Sequence, residues 1–99
     1  MADDLSATCE YHRIIPGTLL KVVFPATADD TDYATITLAD YGMARLDACQ
    51  CFRHASEDNS IVAGDQPTTA VSSGVLTLTL AGSTDDKKRV VLLWGHPIA

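Results

Sequence analysis

Two cysteines separated by one residue are the first group in this sequence that could do chemistry. Cys49 and Cys51 flank Gln50, and a β-strand would place both sulfurs on one side. A structural zinc site needs about four ligands. The further candidate ligands are Cys9, His12, His54 and His96. The spacing matches neither a C-x-x-C nor a paired-histidine motif, and cysteine often serves as a small apolar residue. We therefore expect reduced, structural cysteines and no metal site.

The acidic and nucleophilic residues form no recognisable catalytic pattern. Asp29, Asp30 and Asp32 could offer oxygen ligands to a hard cation, but they lack the mid-loop glycine and terminal glutamate of an EF-hand. Aspartates are also common in turns, so a solvated loop is favoured. No serine lies in a G-x-S-x-G elbow, and the glycines are too dispersed to form a phosphate-binding loop. The sequence predicts no catalytic residues, no enzyme activity and no cofactor.

The composition describes one domain with an aliphatic core. The chain has 99 residues, of which 46% are hydrophobic and 20% charged, as in an ordinary globular domain. Two Phe, three Tyr and one Trp are its aromatic residues. Leucine, valine, isoleucine and alanine must therefore supply most of the core. The N-terminal sequence Met-Ala-Asp-Asp shows no secretory signal, so we expect a soluble protein made in a cytoplasm.

The net charge of −6 argues against two classes of partner. Nucleic acids and anionic lipid surfaces attract clusters of lysine and arginine. The densest basic cluster is Lys87-Lys88-Arg89, and two aspartates precede it, so we expect a solvated loop there. The longest aliphatic run, 90–94, is too short to cross a bilayer. The sequence thus predicts no nucleic-acid partner and no membrane partner.

Alternation of apolar and polar residues indicates the elements that must position these groups. It predicts strands at 19–24, 33–38, 46–52, 68–71, 75–80 and 89–94, with a brief segment at 61–63. The 89–94 strand is apolar on both faces and is expected in the middle of a sheet. The 68–71 strand follows Pro67 and is expected at an edge. Ala39–Gly42 predicts a tight turn or one helical turn, and residues 54–60 and 81–87 are expected to be loops.

Together these elements predict an all-β fold, either a small antiparallel β-sandwich or a barrel, with about six to seven short strands and little helix. Residues 1–14 have few apolar anchors and are expected to form a flexible arm, with 15–99 as a single β domain. Trp94 suits either the core or an interface centre. Tyr33 is expected on a solvated face. The orientation of Cys49 and Cys51 depends on the register of the 46–52 strand.

Three stretches in this order resemble a family of viral proteins. They are the loop, strand and turn at 29–42, the alternating strand at 74–80, and the polar connection at 82–89 that leads into the last strand. Over about residues 15–95 the chain resembles small proteins of tailed bacteriophages that are encoded near structural genes and proposed as head decoration or cement proteins. The match consists of β-strand patterns, and no functional residue is carried over from it.

The resemblance implies a structural virion protein on the capsid surface, made in the host cytoplasm and bound to the major capsid protein across capsomers. It also implies a homo-oligomer, expected to be a trimer built from head-to-tail contacts. We further expect the arm to order against the capsid, so that deleting it weakens capsid binding and leaves the fold intact. Two alternatives stay open: a head-tail connector or tail accessory protein, and a small non-enzymatic binding module for carbohydrate or a host factor.

Overall fold

The computed structural model describes residues 3–25, 27–29, 31–54, 62–64, 66–80 and 88–98. Within these ranges the regular elements are strands and one turn of 3₁₀ helix. The strands are β1 (Glu10–Ile15), β2 (Leu19–Phe24), β3 (Tyr33–Thr37), β4 (Met43–His54), β5 (Val62–Gly64), β6 (Thr68–Ser72), β7 (Val75–Thr79) and β8 (Arg89–Pro97). The 3₁₀ turn, η1 (Leu38–Tyr41), joins β3 to β4. The predicted all-β class is confirmed.

The strands form two antiparallel sheets. The larger sheet has the order β1-β2-β8-β4-β5 and the smaller one the order β3-β7-β6. Every strand pair in both sheets is antiparallel. Buried residues of both sheets belong to one apolar cluster, so the sheets pack face to face as a sandwich.

The core between the sheets is mainly aliphatic, as the composition predicts. Its fully buried members on the larger sheet are Leu20, Val22, Phe24, Val91 and Leu93. Those on the smaller sheet include Ala34, Leu76 and Leu78. Each large aliphatic side chain buried in this way contributes about 1.5–3 kcal/mol. The alternation that indicated the strands in the sequence is therefore the alternation between core and outside.

Two further sequence predictions about position are confirmed. β8 is the middle strand of the larger sheet, between β2 and β4, and β6 lies at an edge of the smaller sheet. The single helical turn expected near 39–42 is η1, and Gly42 ends it at φ 74°, a conformation that glycine adopts without strain. The loops expected at 55–60 and 81–87 lie outside the described residues, and His54 is the last residue of β4.

The expected separation of residues 1–14 from the domain is wrong for residues 3–14. Glu10–Ile15 form β1 and pair with β2, from Glu10 opposite Val23 onward. Tyr11 packs against the core, and its hydroxyl donates to the Ser6 carbonyl oxygen at 2.7 Å. β1 has no apolar alternation because it is an edge strand with mostly exposed side chains. Deleting this segment would remove a strand, so it would not leave the fold intact.

Residues 3–6 lie along the outer edge of β3. Tyr33 N donates to the Asp3 carbonyl oxygen at 3.0 Å, and Leu5 N donates to the Tyr33 carbonyl oxygen at 2.7 Å. Thr35 N donates to the Ser6 hydroxyl oxygen at 2.8 Å. The N-terminal segment therefore supplies this edge of the smaller sheet with hydrogen-bond partners.

Candidate functional site

The surface that departs most from an ordinary sandwich is the solvent side of the larger sheet, which we call the outer face. It consists of Leu19, Lys21, Val23, Ala48, Gln50, Phe52, Val90, Leu92 and Trp94. These residues alternate with core residues along β2, β4 and β8, and none of them belongs to the core cluster. The side chains from β2 and β8 are half-buried. Seven of these nine residues are apolar, whereas the solvent face of an antiparallel sheet is normally polar.

Cross-strand pairing sets these side chains in rows. Leu19 lies opposite Trp94, and Ala48 lies on the other side of the same tryptophan. At the other end of the face, Val90 lies between Val23 and Phe52. Opposite residues on adjacent strands have side chains close enough to contact one another. The result is two apolar rows that cross three strands.

A third row lies between these two apolar rows and contains the two polar residues of the outer face. Leu92 lies between Lys21 and Gln50. On the edge strand β1, His12 lies opposite Lys21 and Glu10 lies opposite Val23. The His12 Nε2 and a Glu10 carboxylate oxygen are 3.5 Å apart. Both side chains are largely exposed. Lys21 and the polar groups of β1 thus lie on one side of an apolar centre on β8, and Gln50 of β4 lies on the other.

The dimensions of the outer face suit the centre of a protein interface. Neighbouring strands are about 5 Å apart and residues about 3.4 Å apart, so its Cα frame is about 10 Å by 14 Å. With side chains this gives on the order of 300–400 Å², less than the roughly 800 Å² that each partner buries in a standard interface. An interface here would therefore need the polar groups of β1 as its rim, which is the usual arrangement.

The smaller sheet presents a different surface on its own solvent side. Its residues are Tyr33, Thr35, Thr37, Thr68, Ala70, Ser72, Val75, Thr77 and Thr79, which we call the threonine face. Threonine suits a solvated, pleated surface. Tyr33 lies on this face as expected and is half-buried. The contrast between the two faces marks the larger sheet as the one with unsatisfied apolar surface.

The three cysteines do not assemble a reactive site. Cys51 is buried, and Cys49 packs against the core on the same side of β4. Burial raises the pKa of the Cys49 thiol to about 11. It also raises the pKa of Cys9 to about 11, despite a hydrogen bond with Tyr11. None of the three forms a disulfide bond. Protonated thiols are poor nucleophiles and poor metal ligands, so these residues contribute to packing.

The histidines and aspartates that the structure describes do not converge on a metal site either. Among the described residues, no group of three or more histidine, cysteine, aspartate or glutamate side chains could hold a metal ion. His12 and His96 are exposed on different strands. Asp32 is buried, and its two carboxylate oxygens accept backbone N–H groups from Asp3 and Asp29, each at 2.9 Å. It therefore organises a loop, while Asp30 lies outside the described residues.

The basic cluster expected as a solvated loop requires one correction. Arg89 is the first residue of β8 and is fully buried, and its Nη1 donates to the Ala28 carbonyl oxygen at 2.8 Å. Lys88 is half-buried and Lys87 lies outside the described residues. Arg89 takes an inward position because it continues the alternation of Val91 and Leu93. The Arg89 guanidinium therefore binds a backbone carbonyl in the interior and does not add to a basic surface patch.

Sequence reasoning identified Trp94 as a possible interface residue but missed the rest of the outer face. Leu19, Val23 and Phe52 were assigned to strands without being recognised as its members. The sequence of β2 contained the necessary information. Leu20 and Val22 form its core side, and on its other side only Lys21 is polar. A strand that is apolar on both faces indicates either a covered sheet or a binding surface.

None of the described helical segments is long and apolar enough to cross a membrane. Comparison of the chain with models of protein families, with curated proteins and with solved structures gave no match. The outer face is therefore interpreted from its own chemistry.

Proposed function

We propose that this protein is a structural virion protein that decorates the head of a tailed bacteriophage. In this proposal the outer face of the larger sheet docks on the major capsid protein and bridges neighbouring capsomers. The apolar character of that face is the single observation that carries the proposal. The resemblance of the strand patterns to those of phage head decoration proteins suggests the major capsid protein as the partner.

The chemistry of the outer face suits adhesion to another protein. Burying Leu92, Trp94 and their neighbours would release water from apolar surface, which is the main favourable contribution to association. Tryptophan is enriched among the residues that dominate binding energy. Lys21 and Glu10 would lie at the rim, where charged groups set orientation and association rate more than affinity.

The charge of the chain fits a position outside a filled head. A net charge of −6 disfavours contact with the packaged genome. A decoration protein needs no catalytic group, and the described residues supply interaction surfaces. A connector or tail accessory protein would use the same kind of surface, so the location of binding within the particle separates these two structural roles.

The test is co-sedimentation with heads purified from the phage that carries the gene. Wild-type protein should pellet with heads and saturate at a fixed copy number. Leu92→Gln, which removes apolar surface from the centre of the outer face, should weaken binding by about tenfold or more, since a loss of about 1.4 kcal/mol is a factor of ten.

The matched control is Thr37→Gln, an exposed position on the threonine face of the opposite sheet. It should bind heads as the wild type does. Wild-type protein that ignores heads but binds purified tails or necks would move the assignment to a connector or tail accessory protein. Protein that binds neither, but binds a glycan array, would overturn the virion assignment in favour of a carbohydrate-binding module.

A further inference from the structure

The four sheet edges differ in how they are protected. They are β1 and β5 in the larger sheet, and β3 and β6 in the smaller one. An edge strand exposes backbone N–H and C=O groups that can pair with another chain. Natural proteins prevent such pairing with charged side chains, bulges, very short strands or a covering segment.

Three of these edges carry such protection. β1 bears Glu10, His12 and Arg13, and its register shifts between Arg13 and Ile15. β5 is only three residues long. The edge of β3 is covered by residues 3–6, which exchange backbone hydrogen bonds with Tyr33.

In the part of the chain that the structure describes, β6 has none of these protections. Its five residues, Thr-Thr-Ala-Val-Ser, are all exposed and include neither a charge nor a proline. Its register with β7 is unbroken from Thr68 to Ser72. Every second residue of an edge strand points its N–H and C=O away from the sheet, so β6 presents a regular template for another strand.

An apolar row also ends at β6. Ile36, Leu76 and Val71 lie opposite one another across β3, β7 and β6, on the side that faces the core. Ile36 and Leu76 are buried, but Val71 is 52% exposed. A further strand beside β6 would extend this row and cover Val71.

The distribution of charge favours a second copy of the chain as that strand. Two copies with a net charge of −6 each repel one another wherever their charged surfaces meet. The three strands of the smaller sheet, however, contain no charged residue, and neither does the stretch 66–80. This edge is where two acidic copies can approach without bringing like charges together.

We propose that β6 pairs antiparallel with β6 of a second copy, about a two-fold axis at Ala70. In this register Ala70 lies opposite its own counterpart, and Thr69 lies opposite Val71 of the other copy. The two smaller sheets become one six-stranded sheet. This isologous dimer differs from the trimer that the family resemblance implies, which needs head-to-tail contacts. The pairing does not depend on the capsid role, so either can fail without the other.

The first test is the mass of the purified chain by sedimentation velocity and light scattering, over about a hundredfold range of concentration. The mass should rise from 10.6 kDa to twice that value. Val71→Lys places a charge on the edge and should keep the protein monomeric throughout. Ile98→Lys is the matched control, because Ile98 is also 52% exposed but lies beyond β8. It should dimerise as the wild type does.

The second test measures the register and does not depend on Val71. Under mild oxidation Ala70→Cys should form a disulfide-linked dimer, because its two copies face each other within disulfide range. Thr68→Cys should not, since its two copies lie four residues apart along the strand, or about 14 Å. Wild-type protein controls for the native cysteines.

Several outcomes would overturn the pairing. They are a wild type that stays monomeric at all concentrations, a dimer that Val71→Lys leaves intact, and a trimer. Equal cross-linking at positions 68 and 70 would also contradict the two-fold register.

Discussion

The buried carboxylate of Asp32 offers the sharpest test of how the N-terminal segment is held. One of its oxygens accepts the backbone N–H of Asp3 and the other accepts that of Asp29, each at 2.9 Å. Its own carbonyl oxygen accepts the N–H of Leu80 at 2.8 Å. The side chain thus joins the segment at the edge of β3 to the loop before β3. The backbone carbonyl of the same residue joins that loop to Leu80, directly after β7.

The cost of removing this carboxylate follows from those two bonds. A hydrogen bond to a charged group contributes about 1.5–3 kcal/mol net. Asp3 is exposed and Asp29 half-buried, so water can reach the N–H groups left behind, which places the cost near the lower limit. Asp32→Ala should therefore lower the free energy of unfolding by about 3 kcal/mol. Asp32→Asn keeps one acceptor oxygen and should lower it by about half as much.

Urea unfolding of the variants measures these differences. The matched control is Asp47→Ala, which removes an exposed ion pair with Arg45 (2.8 Å) and should cost less than about 1 kcal/mol. Hydrogen exchange supplies a second readout, because the Tyr33 amide bonds to Asp3 and should exchange faster in Asp32→Ala. An Asp32→Ala variant as stable as Asp47→Ala, with unchanged exchange at Tyr33, would refute this account.

Three further predictions test the packing of the strands. Leu93→Ala should cost about 2–5 kcal/mol in urea unfolding, and the neighbouring Leu92→Ala less than about 1.5, because only Leu93 faces the core; equal costs would contradict the assignment of faces. Gly95→Ala should cost about 1–3 kcal/mol, because its Cβ would lie 2.5 Å from Met43 Sδ. Adding Met43→Ala should then cost less than it does in the wild type, and simple additivity would exclude the clash. The Cys49 thiol, with its pKa raised to about 11, should be alkylated about tenfold faster per pH unit up to that value, as followed by mass spectrometry. Since burial raises the pKa of the folded Cys49 thiol above its ordinary value of 9.0, the stability that depends on a protonated thiol is complete below pH 9 and is lost as the pH rises through 11. Alkylation that levels off near pH 9 would contradict this burial.

The strands with one buried face could be predicted from sequence. In these strands the apolar residues are the buried ones and the polar residues are mostly the exposed ones, so the alternation of residue types follows the burial. β2 and β7 show this directly, with Leu20, Val22 and Phe24 buried in one and Leu76 and Leu78 in the other. The middle position of β8 could also be predicted, since a strand that is apolar on both faces needs neighbours on both sides. The sequence pattern was therefore informative wherever solvent contacts only one face of a strand.

The elements that could not be predicted depend on contacts between distant parts of the chain. β1 is an edge strand whose side chains are mostly exposed, and its inward Arg13 stacks on the Tyr41 ring at 5.2 Å instead of entering the core. Because the charged Arg13 stands where an apolar residue would be expected, β1 shows no alternation of apolar and polar residues. Arg89 was predicted to begin the last strand, but it was also counted in a solvated basic cluster because its neighbours in sequence are charged. Its burial could not be predicted, because its hydrogen-bond acceptor is Ala28, 61 residues away. The residues next to Arg13 and Arg89 in the sequence do not indicate that these side chains contact Tyr41 and Ala28.

The two proposed surfaces lie on different sheets, and their geometry makes them cooperate. In an antiparallel strand pair, directly opposite side chains point to the same side of the sheet, so the two-fold axis of the β6 pair runs perpendicular to the joined sheet. The core side of the smaller sheet is therefore the same side in both copies. Both larger sheets lie on that side, and both outer faces point away from the joined sheet in the same direction.

A dimer of this kind would present two apolar faces to one surface, such as the shell of a head. Binding by both faces raises the apparent affinity by about 10²–10⁴ over that of one face. Val71→Lys should therefore bind heads only at higher concentration than the wild type, while reaching the same saturating copy number. Leu92→Gln should weaken each face and keep the dimer. If monomeric Val71→Lys bound heads with wild-type affinity, the two outer faces would not engage one surface together, and attachment would be the work of single copies.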